Sequence, residues 1–313
     1  MLLPALRIVV TGGAGFIGAN LCARLATAGH EVTVLDDLST GDAQNLHGIA
    51  ARLHVGSILD PAALDQVCDG ADAIVHLAAI GSVPRSVAHP MPTLAANAAG
   101  TAEVLEAARR HGNLHVVFSG SSSVYGANPE LPKHEGLLPQ PVSPYGASKL
   151  AAEAYALAWA HTYNLPVLAF RFFNVFGPLQ SPEHAYAAVI PRFVDAALAG
   201  RPLTVHGDGQ QSRDFTFVHT VTAVIEDALV RRVTSSTPVN LAFGGRVTLL
   251  HLAAELGSLL GRPLDVVHEP ARAGDVRHSQ AANDRLAALF PTATAVPLRD
   301  GLQATIDWMR TRA

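Results

Sequence analysis

"RIVVTGGAGFIGANL", residues 7–21, passes from a short β-branched run through a glycine-rich turn into an Ala/Leu-rich stretch. Ile8, Val9 and Val10 are consecutive apolar residues, the pattern of a strand buried on both faces rather than one with a wet side. Gly12, Gly15 and Gly18 follow in GxxGxxG spacing, and Gly13, Gly15 and Gly18 also satisfy GxGxxG. Glycines in a turn need no ligand by themselves. Between a strand and a helix, however, bare backbone lets a pyrophosphate approach the helix N-terminus and its unpaired N–H groups, so the stretch reads as a dinucleotide-binding turn. Phe16 and Ile17 lie in the same turn and join the cofactor-binding set. Asp36 closes the next strand, "EVTVLD", eighteen residues past Gly18. A carboxylate there accepts hydrogen bonds from an adenosine ribose and repels a 2′-phosphate, which favours NAD over NADP.

Working outward, β-branched runs alternate with helical stretches: "AIVHLAA" after "ALDQVCDG", then a helix over Ala95–His111, then "HVVFSG". This βαβ alternation predicts a doubly wound parallel sheet, a Rossmann α/β fold. A Pro-rich loop, Asn128 to Pro144, precedes a long helix over Tyr145–Tyr163 and the strand "PVLAFRFF". Beyond Asn174 the composition loosens. We therefore divide the chain into an NAD-binding Rossmann domain, 1–173, and a smaller α/β substrate-binding lobe, 174–313, with parts of 215–243 returning to the first domain.

At 313 residues the chain exceeds what one core of roughly 250–300 residues holds efficiently, in keeping with two lobes. A net charge of -4 gives no electrostatic reason to expect nucleic acid. No run of about 18 apolar residues predicts a membrane span, and "MLLPAL", broken by Arg7, does not read as a signal peptide. Cys22 and Cys68 lack redox or metal spacing, so the expectation is a reducing, cytoplasmic setting. The 15 histidines form no HExxH or Cys/His cluster, and no metal is expected.

"SPYGASKLAAEAY" places Tyr145 and Lys149 four apart at a helix start, on one face and one turn apart. A phenol is a weak base near neutrality, but a neighbouring ammonium stabilises its phenolate, which makes the pair a candidate catalytic base. "SGSSSVYG", residues 119–126, ends a buried strand in a cluster of hydroxyls. Turn chemistry accounts for such a cluster, and so does a hydroxyl that touches substrate.

These motifs, with "VTVLDDLSTG", "VHLAA", "GSVPRS", "RFFNVFGP", "AYAAVIPRF", "GDGQQSRDF" and "ARAGDVRHS", resemble those of the extended short-chain dehydrogenase/reductase family. Within it they are most similar to the nucleotide-sugar 4-epimerases that act on UDP-glucose and UDP-N-acetylglucosamine. The resemblance covers nearly the whole chain. It implies a tightly held NAD, a UDP-sugar substrate and a homodimer formed through two helices per subunit.

It also implies roles residue by residue. Ser121 takes the family's catalytic Ser/Thr position, between the sugar and Tyr145. Leu77, Ala78 and Ala79 line the cofactor, Asn97 lies near it, and Lys149 reaches the nicotinamide ribose. Ile58 flanks the adenine, while Ser57 replaces the family's usual Asp. Asn174, Arg213 and Arg272 meet the substrate diphosphate. Ser82 faces the sugar, although it reads equally well as a helix N-cap. Ser122, Ser123, Val189 and Asp275 complete the substrate set. Ser279 occupies a gate position where forms restricted to unacetylated sugars tend to carry Tyr. Ser181 stands where UDP-glucuronate epimerases place an Arg.

The rivals are an NDP-sugar dehydratase or decarboxylase of the same family, and a non-catalytic NAD(P)-sensing Rossmann protein. Dehydratases similar to this chain carry Asp-Glu at the positions of Ser122 and Ser123, because eliminating water needs a further acid/base. The Tyr145/Lys149 pair argues against a mere sensor.

Overall fold

The apolar runs of the first half become β1 (Arg7–Thr11), β2 (Glu31–Asp36), β3 (Ala51–Val55), β4 (Ala73–His76), β5 (His115–Ser121) and β6 (Val167–Phe172). Between them run α1 (Phe16–Thr27), α2 (Pro61–Cys68), α3 (Val83–Ala88), α4 (Pro90–Leu94), α5 (Gly100–Arg110) and α6 (Pro144–Tyr163). The second half adds β7 (Val175–Phe176), α7 (Val189–Leu198), β8 (Leu203–His206), β9 (Ser212–Arg213), β10 (Thr216–Phe217) and α8 (Val218–Val230). It closes with β11 (Val239–Leu241), β12 (Val247–Thr248), α9 (Leu249–Leu260), β13 (Val266–Glu269), α10 (Asp284–Leu289) and α11 (Leu298–Arg310). The structure is a computed structural model that describes residues 5–182, 188–270 and 277–312.

Seven strands form one parallel sheet in the order β11-β6-β5-β4-β1-β2-β3. The chain winds outward from β1 in one direction through β3, then crosses back to β4 on the other side of β1. That reversal opens a crevice above the carboxyl ends of β1 and β4, where doubly wound sheets hold their ligands. On one face, Leu21, Leu25, Val221, Ile225 and Phe290 pack over Ile8 and Val10. On the other, Leu64, Val104, Leu105, Ala152 and Ala156 pack over Val9, Ile74 and Val116. A third cluster, with Ile190, Phe193, Leu252, Leu256 and Ile306, forms the core of the smaller lobe. The chain beyond Asn174 thus contributes to both: α8 packs on α1, and β11 becomes the edge strand beside β6.

α6 starts where local chemistry dictates. Ser143 accepts a hydrogen bond from Gly146 N at 3.1 Å, Pro144 opens the first turn, and Asn164 ends the helix in the left-handed region at φ 53°. The expected single helix over Ala95–His111 is interrupted. Ala95–Ala99 is a π-helical segment that leads into α5. The Thr101 hydroxyl donates to the Asn97 carbonyl at 2.6 Å, and the Asn97 amide is engaged outside the helix by both backbone groups of Ile80. Both contacts bias the backbone toward the wider turn. Among the described residues no helix is long and apolar enough to cross a membrane.

The glycines of the first turn divide the work. A Cβ on Gly12, at φ 73°, would stand 2.6 Å from Ala78 N, and one on Gly18 would stand 2.2 Å from the Gly12 carbonyl. Gly15 differs, since its Cβ would meet only the Gly12 carbonyl, at 3.3 Å. Gly18→Ala is therefore expected to lose about 1–3 kcal/mol of stability or more through overpacking, whereas Gly15→Ala stays within about 0.5 kcal/mol of the parent. Urea unfolding of the two variants checks the contrast.

Candidate active site

The site grows from three backbone ends that the sheet brings together. At β1, the turn opens α1 with Gly15 as an N-cap that has no side-chain hydrogen bond. The bare backbone of the glycine turn and uncapped first-turn N–H groups at Phe16, Ile17 and Gly18 suit a pyrophosphate. At the end of β2, the Asp36 carboxylate is buried and tied to the turn: Oδ2 accepts from Ala14 N and Oδ1 from Leu38 N, both at 2.9 Å. Burial raises its pKa above the usual carboxylate range despite the two N–H donors. Its remaining lone pairs can accept ribose hydroxyls, so turn and acid together fit NAD.

β4 stops at His76, so Leu77, Ala78 and Ala79 form the loop beside the glycine turn, with Leu77 N donating to Thr11 O at 3.0 Å. Ile58 is buried and packs against Gly100, where a Cβ would fall 2.5 Å from its Cδ1. Ser57 caps its own turn, its hydroxyl accepting from Leu59 N at 3.1 Å. Asn97 spends both amide hydrogens on the protein, donating to the Ile80 carbonyl at 3.2 Å and to Ser148 Oγ at 3.0 Å. It therefore shapes the wall of the crevice by fixing Ile80 and α6.

At the third end, β5 delivers Ser121 to α6. The Ser121 hydroxyl accepts from Ser123 N at 3.1 Å, which is turn chemistry, and it also acts on the Tyr145 phenol, drawing the phenol's pKa down. The turn-chemistry reading of the serine-rich stretch therefore holds for this oxygen. Ser122 and Ser123 sit half-buried in the one-turn helix that follows. A Cβ on Gly146 would come 2.9 Å from the Ser123 carbonyl, so this glycine lets α6 close on the turn.

Lys149 is buried, with Nζ donating to the Ser119 carbonyl at 2.8 Å and lying 5.3 Å from the Phe118 ring centroid. Burial pushes its pKa down to about 8. The spacing of Tyr145 and Lys149 suggests a depressed phenol pKa, but in the protein alone burial raises it, only partly offset by the Ser121 hydrogen bond. Desolvation is the larger of the two influences.

The substrate residues cluster one strand further along. Asn174, at φ 32° just past β6, donates to the Asp214 carbonyl at 3.1 Å and borders a cavity of about 260 Å³. Val189 and Arg213 line the same cavity, beside Thr204, Gln211 and Phe215. Two buried polar atoms along it, Gln180 Oε1 and His206 Nε2, have no protein hydrogen-bond partner among the described residues, which suits a polar guest. Ser279 N donates to the Ser212 carbonyl at 3.0 Å, next to Arg213 in the chain. Ser82 caps α3 by accepting from Arg85 N at 3.2 Å, the alternative its sequence allowed. Ser181 is half-buried near Gln180. Arg272 and Asp275 lie outside the described residues.

Sequence reasoning missed two devices. His76 is buried, with Nδ1 2.7 Å from Thr11 Oγ1 and Nε2 2.9 Å from Thr101 Oγ1. Because Thr101 donates its own proton to Asn97 O, it must accept from Nε2–H, so Thr11 donates to Nδ1. Burial and the Lys149 ammonium push this imidazole down to about 3 and keep it neutral. The second device is Asp214, whose carboxylate accepts from Gly244 N, Gly245 N and Ala281 N at 3.0–3.1 Å. Burial nevertheless pushes its pKa up to about 6. "VHLAA" and "SRDF" contain these residues, but neither spacing shows what they touch.

The fold and its glycine turn define an NAD-binding Rossmann enzyme, in which Ser121, Tyr145 and Lys149 come together at the carboxyl end of β5. The chain belongs to the NAD dependent epimerase/dehydratase family, whose model matches residues 8–242. It is 36% identical over 318 residues to a UDP-glucose 4-epimerase of Mycolicibacterium smegmatis, covering 98% of this chain and 100% of the relative. It is also 36% identical over 318 residues to a dTDP-glucose 4,6-dehydratase of Streptomyces niveus, covering 97% and 93%. Among solved structures, the UDP-N-acetylglucosamine 4-epimerase of Methanobrevibacter ruminantium, in complex with UDP-N-acetylmuramic acid, superposes with a TM-score of 0.94 at 33% identity, over 99% of this chain and 100% of that one.

Removing the Ser121 hydroxyl should raise the Tyr145 pKa further and slow turnover by roughly 10²–10⁴-fold, while Ser121→Thr retains activity. Ultraviolet phenolate titration, with Tyr145→Phe as the blank, reads the shift. The phenylalanine variant itself should fold, bind NAD and turn over nothing.

Proposed function

We propose that the chain is an NDP-sugar 4-epimerase acting on UDP-hexoses, with UDP-N-acetylglucosamine and UDP-N-acetylgalactosamine among its substrates. The observation that carries this reading is the end of β5: one hydroxyl, Ser121, on the Tyr145 phenol, followed by two serines where elimination needs a carboxylate. Equal identity to an epimerase and to a dehydratase leaves the decision to such residues.

NAD, when bound, supplies the hydride acceptor and later returns the hydride. The protein's part is proton transfer at a single oxygen. Tyr145, through Ser121, takes the proton of the sugar 4-hydroxyl and gives it back after the sugar has turned over, so no second acid or base is required. Lys149, held on the Ser119 carbonyl, presents a cation beside that exchange. The cavity holds the nucleotide end, where Arg213 offers a fixed charged fork for the diphosphate. Binding strength placed on the nucleotide leaves the hexose free to rotate.

The homodimer reading is supported by apolar residues exposed on neighbouring helices. Val87 and Met91, on α3 and α4, are 65% and 67% exposed, and Tyr155 and Tyr163 form an aromatic stripe with Trp159 along α6. α6 packs against both short helices, which puts these side chains on neighbouring elements of one side of the sheet. Light scattering should give twice the mass of one chain, and Met91→Glu with Tyr155→Glu should halve it.

The activity is tested by incubating the protein with acetylated and unacetylated UDP-hexoses and resolving the products. Epimers support the proposal; loss of water or carbon dioxide overturns it. Ser279→Tyr should abolish epimerisation of the acetylated pair and spare UDP-glucose and UDP-galactose, because a phenol ring would collide with the acetamide as the sugar turns. Equal handling of both classes by that variant would remove Ser279 from the wall.

A further inference from the structure

Behind the catalytic helix lies an ion pair that the chemistry above does not use. Arg171 on β6 and Glu153 on α6 are 2% and 3% exposed. They meet in a two-pronged contact, Nε to Oε2 at 2.8 Å and Nη2 to Oε1 at 2.7 Å. The guanidinium also lies 4.7 Å from the centroid of the Tyr125 ring, whose hydroxyl donates to Asn240 Oδ1 at 2.6 Å on β11. A buried pair of this kind is a poor source of stability, since desolvating two charges consumes most of their attraction. Its position suggests another use.

Tyr145, Lys149 and Glu153 recur every fourth residue and form one stripe along α6. Lysine and glutamate at that separation on a helix can pair, lysine before glutamate being the weaker of the two orders. Here they do not: Lys149 donates to the Ser119 carbonyl, while both Glu153 oxygens are held by Arg171. Arg171 faces α6 because it is paired in register with Gly120 on β5, between the strand residues that carry Phe118 and Ser121.

We propose that Arg171 is a positioning residue: by engaging both oxygens of Glu153 it denies that carboxylate to Lys149 and keeps the ammonium on the Ser119 carbonyl, beside the Ser121–Tyr145 contact. The inference builds on the epimerase reading for its kinetic readout only. Without Arg171, Lys149 swings one turn down the helix to Glu153, and the phenol loses the cation that favours its ionised form. The other ionisable groups around them are Tyr125 against Arg171 and Glu135 near that phenol, His76 on β4, neutral and buried, Arg85 on α3 and His89 beside it, Glu103, Glu106, Arg109 and Arg110 on α5, and His115 at the far end of β5. Of these, Glu106 is paired with Arg109 and Arg110 with Asp65.

The test is a double-variant cycle on the NAD-loaded protein with three members, Arg171→Met, Glu153→Gln and both together. Arg171→Met should lower kcat at neutral pH about tenfold and move the acid limb of the kcat profile upward by about one pH unit. Glu153→Gln should lose stability but keep the parent profile, and the double variant should recover both the profile and kcat to within about threefold. A purely structural pair also predicts recovery in the double variant, because Arg171→Met strands a buried carboxylate that Glu153→Gln removes, but it predicts no shift of the acid limb in any member; an unshifted limb in Arg171→Met overturns the proposal. If Arg171→Met does not fold, Arg171→Gln replaces it with the same expectations. Ultraviolet titration of the Tyr145 phenolate in each background reads the same shift without turnover. An absence of epimerase activity would therefore sink the functional reading while leaving this one to stand or fall on the titration.

Discussion

The hydrogen bond from Lys149 Nζ to the Ser119 carbonyl joins α6 to the carboxyl end of β5, and the site is organised around it. An ammonium buried in this way is expensive unless a partner compensates it. A strand-end carbonyl can do so without adding a negative charge, which leaves the cation's field to act on its surroundings. The seating demands close approach. Gly146 admits the Ser123 carbonyl, Ser143 caps the helix start, and Ser86 accepts the Tyr145 N–H at 3.0 Å. Shifting α6 by a fraction of a turn would separate Tyr145 from Ser121 and Lys149 from its carbonyl together.

The crevice on the other side of β5 obeys the same economy of charge. His76 could carry a proton at this depth only at great cost, so it is held neutral between Thr11 and Thr101, and that orientation links the end of β1 to the π-helical segment at Asn97. Asn97 passes the constraint to Ile80 and to Ser148, one residue before Lys149. The glycine turn and α6 are thereby connected through neutral hydrogen bonds.

Asp214 does for the smaller lobe what Lys149 does for α6. Its carboxylate gathers the N–H groups of Gly244, Gly245 and Ala281, while its carbonyl receives Asn174. The segment after β11, the approach to Ser279 and the loop after β6 are thus fixed to one residue, adjacent to Arg213. The cavity wall depends on contacts among stretches more than sixty residues apart in sequence, such as Asp214 and Ala281.

The sequence by itself determined what depends on neighbours along the chain. A strand, a glycine turn and a helix in succession give the crevice, a carboxylate at a strand end gives Asp36, and four-residue spacing on a helix puts Tyr145 and Lys149 on one face. Hydroxyls were legible as a cluster but not as individuals: Ser82 and Ser57 proved to satisfy local backbone, whereas Ser121 does that and also reaches the phenol. Tertiary structure alone decided which charges meet. Glu153 continues the Tyr145/Lys149 stripe in plain view, yet its choice of Arg171 over Lys149 is made by the register of β6 against β5, and the partners of His76 and Asp214 come from other elements. The physical reason is that backbone geometry is set by local sterics and hydrogen bonds, while the balance between desolvation and pairing exists only once distant segments have excluded water from the same place.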